Sequence, residues 1–181
     1  LLRRNGDNYH SCDMENGTNN MKKLILLRHA KSSWKDASLD DFDRPLNRRG
    51  KKDAPIMAQK LAMRKIKIDL IISSPANRTN ETVKIFANIL GCESEIIFND
   101  KLYEASYKEI LNVINLIDDK YQNVLLVCHN PGITNLVNYI SDYFIENIST
   151  SGIVGLSTNS SWENITENGC SFLFYDYPQR K

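Results

Sequence analysis

The sequence predicts an α/β fold, a three-layer α/β/α sandwich with a mainly parallel central sheet and an antiparallel edge. Three observations lead there. The runs Leu24-Ile25-Leu26-Leu27 and Val124-Leu125-Leu126-Val127 are apolar without alternation, as strands buried on both faces are. Apolar stripes at i, i+3, i+4, i+7 follow the internal runs: Val83, Phe86, Ala87 and Leu90, then Ile133, Leu136, Val137 and Ile140. Strand and helix therefore alternate as far as residue 140, which calls for parallel pairing with helices on both faces of the sheet. From 141 onward the alternation stops and two β-rich runs remain.

The first strand ends in Arg28-His29. A polar loop, 30–46, carries Trp34, aspartates at 36, 40, 41 and 43, and Arg44-Pro45-Leu46. Asn47 stands where an N-cap belongs, ahead of Arg48-Arg49-Gly50-Lys51-Lys52. The helix runs to about Lys65 with Ala54, Met57, Ala58 and Leu61 on one face; Pro55 requires a start nearer Lys52 or a bend. Ile68 to Ser73 is the second strand. Ser74-Pro75 then supplies a capping side chain and a proline at the first position of a helix over 75–90, which Gly91 stops. Glu95 to Phe98 is a short third strand, and Ser106 with Glu109 forms a capping box for a helix that turns Ile110, Val113, Ile114 and Ile117 inward. Asn123 to Cys128 is the fourth strand. It ends in His129-Asn130-Pro131-Gly132, where Asn130-Pro131 repeats the cap-then-proline pattern. Gly152 to Leu156 and Ser171 to Tyr175 are the last two strands, with an Asn168-Gly169 turn before the second and Trp162 expected to pack on them.

The chain of 181 residues is one domain on length. A net charge of +1 gives no general pull toward nucleic acid or a membrane surface, and no run reaches the ~18 apolar residues of a span. Cysteines at 12, 92, 128 and 170 form no CxxC pair, which fits reduced thiols in a cytoplasmic protein. Residues 1–20 are rich in Asn, Gly, Asp and Ser and lack an apolar signal core. They are expected to be a disordered extension ahead of Met21-Lys22-Lys23, with 21–181 a single domain that nothing obliges to be more than a monomer.

Three strand ends carry chemistry. Arg28-His29 follows the first strand, Arg78 opens the helix after the second, and His129 follows the fourth. If these strands are parallel, the three ends share one sheet edge, where ligands bind in such folds, together with two helix N-termini. Two arginines, two imidazoles and two helix starts suit a dianion, phosphate above all. The neighbouring arginines repel a cation, which disfavours a metal site, and no cofactor is expected. A cationic pocket favours phosphoryl transfer. Histidine can itself be the nucleophile, with Arg28, Arg78 and a protonated His129 holding the peripheral oxygens. A module that only binds phosphate, without catalysis, is the reading from another class.

Leu27-Arg28-His29-Ala30 resembles the Arg-His-Gly/Ala signature of the histidine phosphatase superfamily, whose fold is the phosphoglycerate mutase-like one. The stretch Ser73 to Thr82, with Arg78 inside it, is similar to the second motif, and Val127-Cys128-His129-Asn130-Pro131 to the late histidine. Arg28-His29-Ala30-Lys31-Ser32, Asp43-Arg44-Pro45-Leu46 and Leu102-Tyr103-Glu104-Ala105 look most like the small bacterial SixA-type branch, which removes phosphate from phosphohistidine on proteins. The resemblance implies His29 as nucleophile and Arg28, Arg78 and His129 as the phosphate pocket. It also implies a phosphohistidine protein or a small phosphorylated compound as substrate, with a small-molecule phosphomonoesterase as the alternative. Glu104 is the positional match for the acid that protonates an ester's leaving oxygen; Asp36 is a weaker candidate. Arg44 either extends the pocket or pairs with Asp40, Asp41 or Asp43, Ser32 is a further phosphate contact, and Trp34 and Tyr103 are candidates for the mouth. No basic cluster beyond these residues suggests a second phosphate site of the kind a mutase needs.

Overall fold

The computed structural model describes residues 21–92 and 96–179. The expected N-terminal extension and Glu95 lie outside the described residues. Six strands form one sheet: β1 (Lys22–Arg28), β2 (Leu70–Ser73), β3 (Ile96–Phe98), β4 (Asn123–Cys128), β5 (Ile153–Thr158) and β6 (Ser171–Asp176). The helices are α1 (Arg48–Met63), α2 (Asn77–Leu90), α3 (Tyr107–Asn115) and α4 (Gly132–Ile140). The sheet order is β3-β2-β4-β1-β5-β6. β3, β2, β4 and β1 are parallel, β5 runs against β1, and β6 runs against β5. The fold is therefore α/β with a mostly parallel sheet and an antiparallel margin.

Strand periodicity divides the core between two helical layers. Leu24 and Leu26 of β1, with Val124 and Leu126 of β4, pack on Ile110, Ile114, Leu136 and Ile140 of α3 and α4. Ile25, Leu27, Leu125 and Val127 point the other way, onto Ala54, Met57 and Leu61 of α1 and Val83 and Phe86 of α2. The four apolar side chains of β1 are 0–1% exposed, and burying each contributes about 1.5–3 kcal/mol.

Several local expectations need correction. α2 begins at Asn77 and no side chain caps it; the Ser74 hydroxyl lies 2.8 Å from His129 Nε2 instead. α4 begins at Gly132, because Asn130 uses its amide elsewhere: Nδ2 donates to Asn147 Oδ1 (2.6 Å), and Oδ1 accepts from Thr134 (2.9 Å). α1 starts at Arg48, capped by Asn47, and runs through Pro55. The carbonyl of Lys51, four residues earlier, loses its partner there, but Lys51 is exposed and water can serve it. α1 ends at Met63, short of Lys65, whose φ of 54° is left-handed. Trp162 does not pack on the C-terminal strands alone. It is fully buried in the α3/α4 layer, and its Nε1 donates to Tyr121 O at 2.8 Å.

Candidate active site

β1, β4 and β2 are neighbours, so their C-terminal ends converge. The register pairs Arg28 with Cys128, and His29 and His129 follow at the next position on each strand. Their rings stand 5.0 Å apart, centroid to centroid. Ser73 pairs with Val127, and the chain after β2 brings Arg78 to the same edge in the first turn of α2. Two close approaches hold the surrounding loops. A Cβ on Gly50 would collide with the Lys31 carbonyl, and one on Gly132 with the Ala105 carbonyl. Both helix starts therefore press against loops that line the cleft.

The cleft is about 430 Å³. Arg28, His29, Ser32, Arg44, Arg78, Glu104 and His129 all line it, joined by Lys31, Trp34 and Asp41. Asp36 does not; it is turned to Ser38 at 2.6 Å. Arg28 is held by Ile148 O (2.6 Å), which leaves its buried Nε without a partner among the described residues. Arg44 is 6% exposed, with Nε and Nη1 unpartnered among the described residues, and its guanidinium lies 3.4 Å over the Trp34 ring. Trp34 is itself 71% exposed, so it forms the rim. Three guanidinium side chains, Arg28, Arg44 and Arg78, lining one cleft make a preformed receptor for an anion.

Asp41, one of three aspartates that the sequence offered as partners of Arg44, also engages two residues from distant segments. Its Oδ1 meets Arg44 at 2.6 Å; its Oδ2 meets Arg78 at 2.9 Å and accepts from the Tyr103 hydroxyl at 2.9 Å. Its backbone carbonyl also accepts from Arg78 Nη1 at 2.6 Å. Arg44 therefore both lines the cleft and pairs with a carboxylate, so the two alternatives read from sequence hold together. The i,i+3 spacing of Asp41 and Arg44 was visible, but Arg78 and Tyr103 come from distant segments. Burial pushes the Asp41 carboxyl up, but the Tyr103 hydrogen bond and the Arg78 and Arg44 charges together hold it below the usual carboxylate range. Two buried guanidiniums are thus braced on one ionised carboxylate.

The histidines are neutral in the free site. Burial first, then the Arg78, Arg28 and Arg44 charges, pushes His29 down to about 3. Burial, His29 and Arg78 push His129 down to about 3 as well. An imidazolium at His129 would be desolvated among cations in the free site; the protonated His129 expected from the sequence belongs to the phosphate-bound site, where a dianion stands beside it. His29 Nδ1 lies 2.7 Å from the Ala30 carbonyl, which can only accept, so Nδ1 carries the proton and Nε2 keeps its lone pair. His129 Nδ1 is buried without a partner among the described residues. Cys128, next to His129, is fully buried with its thiol pushed up to about 12, so it offers no thiolate.

Glu104 is exposed at the cleft and has a φ of 51°. A non-glycine residue pays about 1–2 kcal/mol for that region. Among the described residues no group of three or more potential metal ligands lies together. None of the cations at the start of α1 lines the cleft itself. The Arg48–Lys52 turn of α1 adjoins the cleft loop, through Asn47 N to Lys31 O (2.9 Å) and Asn47 Nδ2 to Ser32 O (3.1 Å).

Residues 24–113 match the family model of the histidine phosphatase superfamily (branch 1). The chain belongs to this superfamily. An uncharacterized chloroplastic protein of Arabidopsis thaliana is 36% identical over 142 residues, 78% of this chain and 56% of its own, so the chain spans little more than half of that relative. Phosphoserine phosphatase 1 of Hydrogenobacter thermophilus is 37% identical over 89 residues, 48% of this chain and 40% of that one. Among solved structures, a protein assigned as the phosphohistidine phosphatase SixA of Agrobacterium tumefaciens superposes with a TM-score of 0.74 at 29% identity, covering 87% of this chain and 98% of that one. This member of the superfamily thus shares the SixA-type architecture along nearly all of its described length.

Proposed function

We propose that this histidine phosphatase hydrolyses phosphohistidine on a protein through a covalent phospho-His29 intermediate. The observation that carries this reading is the pairing of His29 Nε2, neutral and holding its lone pair, with the guanidinium side chains of Arg28, Arg44 and Arg78 that line the same cleft. His29 Nε2 attacks phosphorus and the P–N bond to the substrate imidazole breaks; the departing imidazole takes a proton from water. A water molecule then attacks phosphorus, the P–Nε2 bond breaks, and inorganic phosphate leaves with His29 neutral again. Arg28, Arg44, Arg78, His129 and Ser32 hold the peripheral oxygens, whose charge is where such catalysis does most of its work. The site residues need no metal ion or cofactor for these steps, and residues 21–181 serve as one catalytic domain.

A P–N bond to imidazole is labile, so the leaving group asks little of a general acid. Glu104 is exposed at the lip and serves chiefly when the leaving group is an alkoxide. A small-molecule phosphomonoesterase is the second reading, favoured by the partial likeness to phosphoserine phosphatase 1. The test is to offer a histidine-phosphorylated protein and p-nitrophenyl phosphate to the wild type and His29→Ala. Turnover that vanishes in the variant, with acid-labile phosphate trapped on the wild type, is expected. Phosphate binding with no turnover of any substrate would leave a non-catalytic module, and equal turnover by His29→Ala would remove the mechanism.

A further inference from the structure

Helix α1 carries a line of cations that leaves the catalytic cleft. Arg48, Lys52, Ile56 and Lys60 stand four residues apart, hence on one face, and span about 18 Å. The first three are exposed and Lys60 is half-buried. They border a groove of about 940 Å³ whose other wall includes Pro178. Among the described residues no carboxylate lies within ion-pair distance of Arg48, Lys52 or Lys60. Asp53, which also lines the groove, is engaged by Arg49 at 3.3 Å.

This arrangement works against the helix that bears it. Like charges four residues apart repel, and cations in a first turn oppose the helix dipole; α1 has no acidic residue there. The line also begins at the site. Arg49 Nη2 lies 3.5 Å from Thr150 Oγ1, and Thr150, Lys31 and Ser32 line the cleft beside the first turn of α1. A small phosphorylated molecule would be held in the cleft and would not reach Lys52 or Lys60. A protein carrying the phosphoryl group would lie across the lip and along the helix.

We propose that the Arg48–Lys52–Lys60 ridge docks an acidic face of the phosphorylated protein substrate and aligns its phosphohistidine with His29. This rests on the phosphohistidine phosphatase reading above. The spacing matches carboxylates repeated every helical turn, and Ile56 with Pro178 offers one apolar contact between the charges. Nucleic acid fits less well, because among the described residues no aromatic side chain lines the groove to stack on a base.

The test uses the full chain and the exposed double variant Arg48→Glu/Lys52→Glu, with thermal unfolding to verify its fold. Three substrates are compared: an acidic protein phosphorylated on histidine with phosphoramidate, free phosphohistidine, and p-nitrophenyl phosphate. The variant should lose roughly tenfold or more in kcat/KM on the protein, mostly through KM, and stay within about twofold on both small substrates. Wild-type turnover of the protein should also fall steeply with salt while that of the small substrates does not. In parallel, binding of the same phosphoprotein to His29→Ala, with and without the charge reversals, reads the ridge without turnover. Equal binding by both forms overturns the ridge whatever the enzyme's activity. So does an equal loss on all three substrates, or single-stranded RNA bound more tightly than the acidic protein. Absent turnover with charge-sensitive binding would instead overturn the catalytic reading and leave the ridge standing.

Discussion

Replacing both cleft histidines should flatten the acid sensitivity of the fold. Unfolded, each imidazole titrates near its ordinary 6.5; folded, both remain neutral down to about 3. Between those values the unfolded chain binds protons that the folded chain refuses. Their contribution is therefore complete above 6.5 and is lost as pH falls toward 3. Going from pH 7 to pH 5, each imidazole costs about 2 kcal/mol of stability, or about 4 kcal/mol for the pair. The perturbation is His29→Asn, His129→Asn and the double variant, none of which can titrate there. The assay is urea unfolding of all four proteins at pH 7 and pH 5. Every carboxylate and the His10 of the N-terminal segment remain in each, so only the difference between proteins matters. The pH 7 to 5 loss should shrink by about 2 kcal/mol per histidine removed. If wild type and double variant lose the same stability, the imidazoles are not held neutral, and the nucleophile assigned to His29 Nε2 loses its physical basis.

Asp41→Asn removes the charge that braces Arg44 and Arg78. It should cost about 1–2 kcal/mol, discounted because the Asp41 side chain is 36% exposed, yet inorganic phosphate should raise the variant's Tm more than the wild type's. An equal or smaller phosphate shift in a differential scanning measurement would show that Asp41 does not offset the cleft's positive charge. Glu104→Gln should slow hydrolysis of an alkyl ester such as O-phosphoserine far more than phosphohistidine hydrolysis, and equal slowing in paired kcat measurements rejects the division of labour between ester and P–N substrates. Gly50→Ala should destabilise by about 1–3 kcal/mol despite alanine's better helix propensity, because the new methyl meets the Lys31 backbone. A variant as stable as wild type by urea unfolding would mean that the α1 start is free to move off the cleft loop.

Much of the scaffold was legible because it follows from local periodicity. The doubly apolar runs of β1 and β4 and the stripes of α2 and α4 are written every two or three to four residues, and the Ser106–Glu109 capping box closes within one turn. The errors fall where a side chain that would serve locally is recruited from far away. Ser74 and Asn130 have the chemistry of caps, but Ser74 faces His129, 55 residues on, and Asn130 ties down the 147–148 loop. Trp162, read as a partner of nearby strands, fills a space that α3 and α4 create.

The residues that meet at the sheet edge could be named from the chain alone, because each stands directly after a strand or in the first turn of a helix, and parallel pairing leaves them one edge to share. Arg28, His29, Arg78 and His129 are there for that reason. Their charge states could not be read that way. Whether His129 is a cation depends on how much water burial removes and on how many guanidiniums stand nearby, and both are properties of the packed structure. The same holds for Asp41, an ordinary loop aspartate until folding sets Arg44, Arg78 and Tyr103 around it. Sequence spacing decides where side chains leave the backbone; only the tertiary fold decides which distant charges they face.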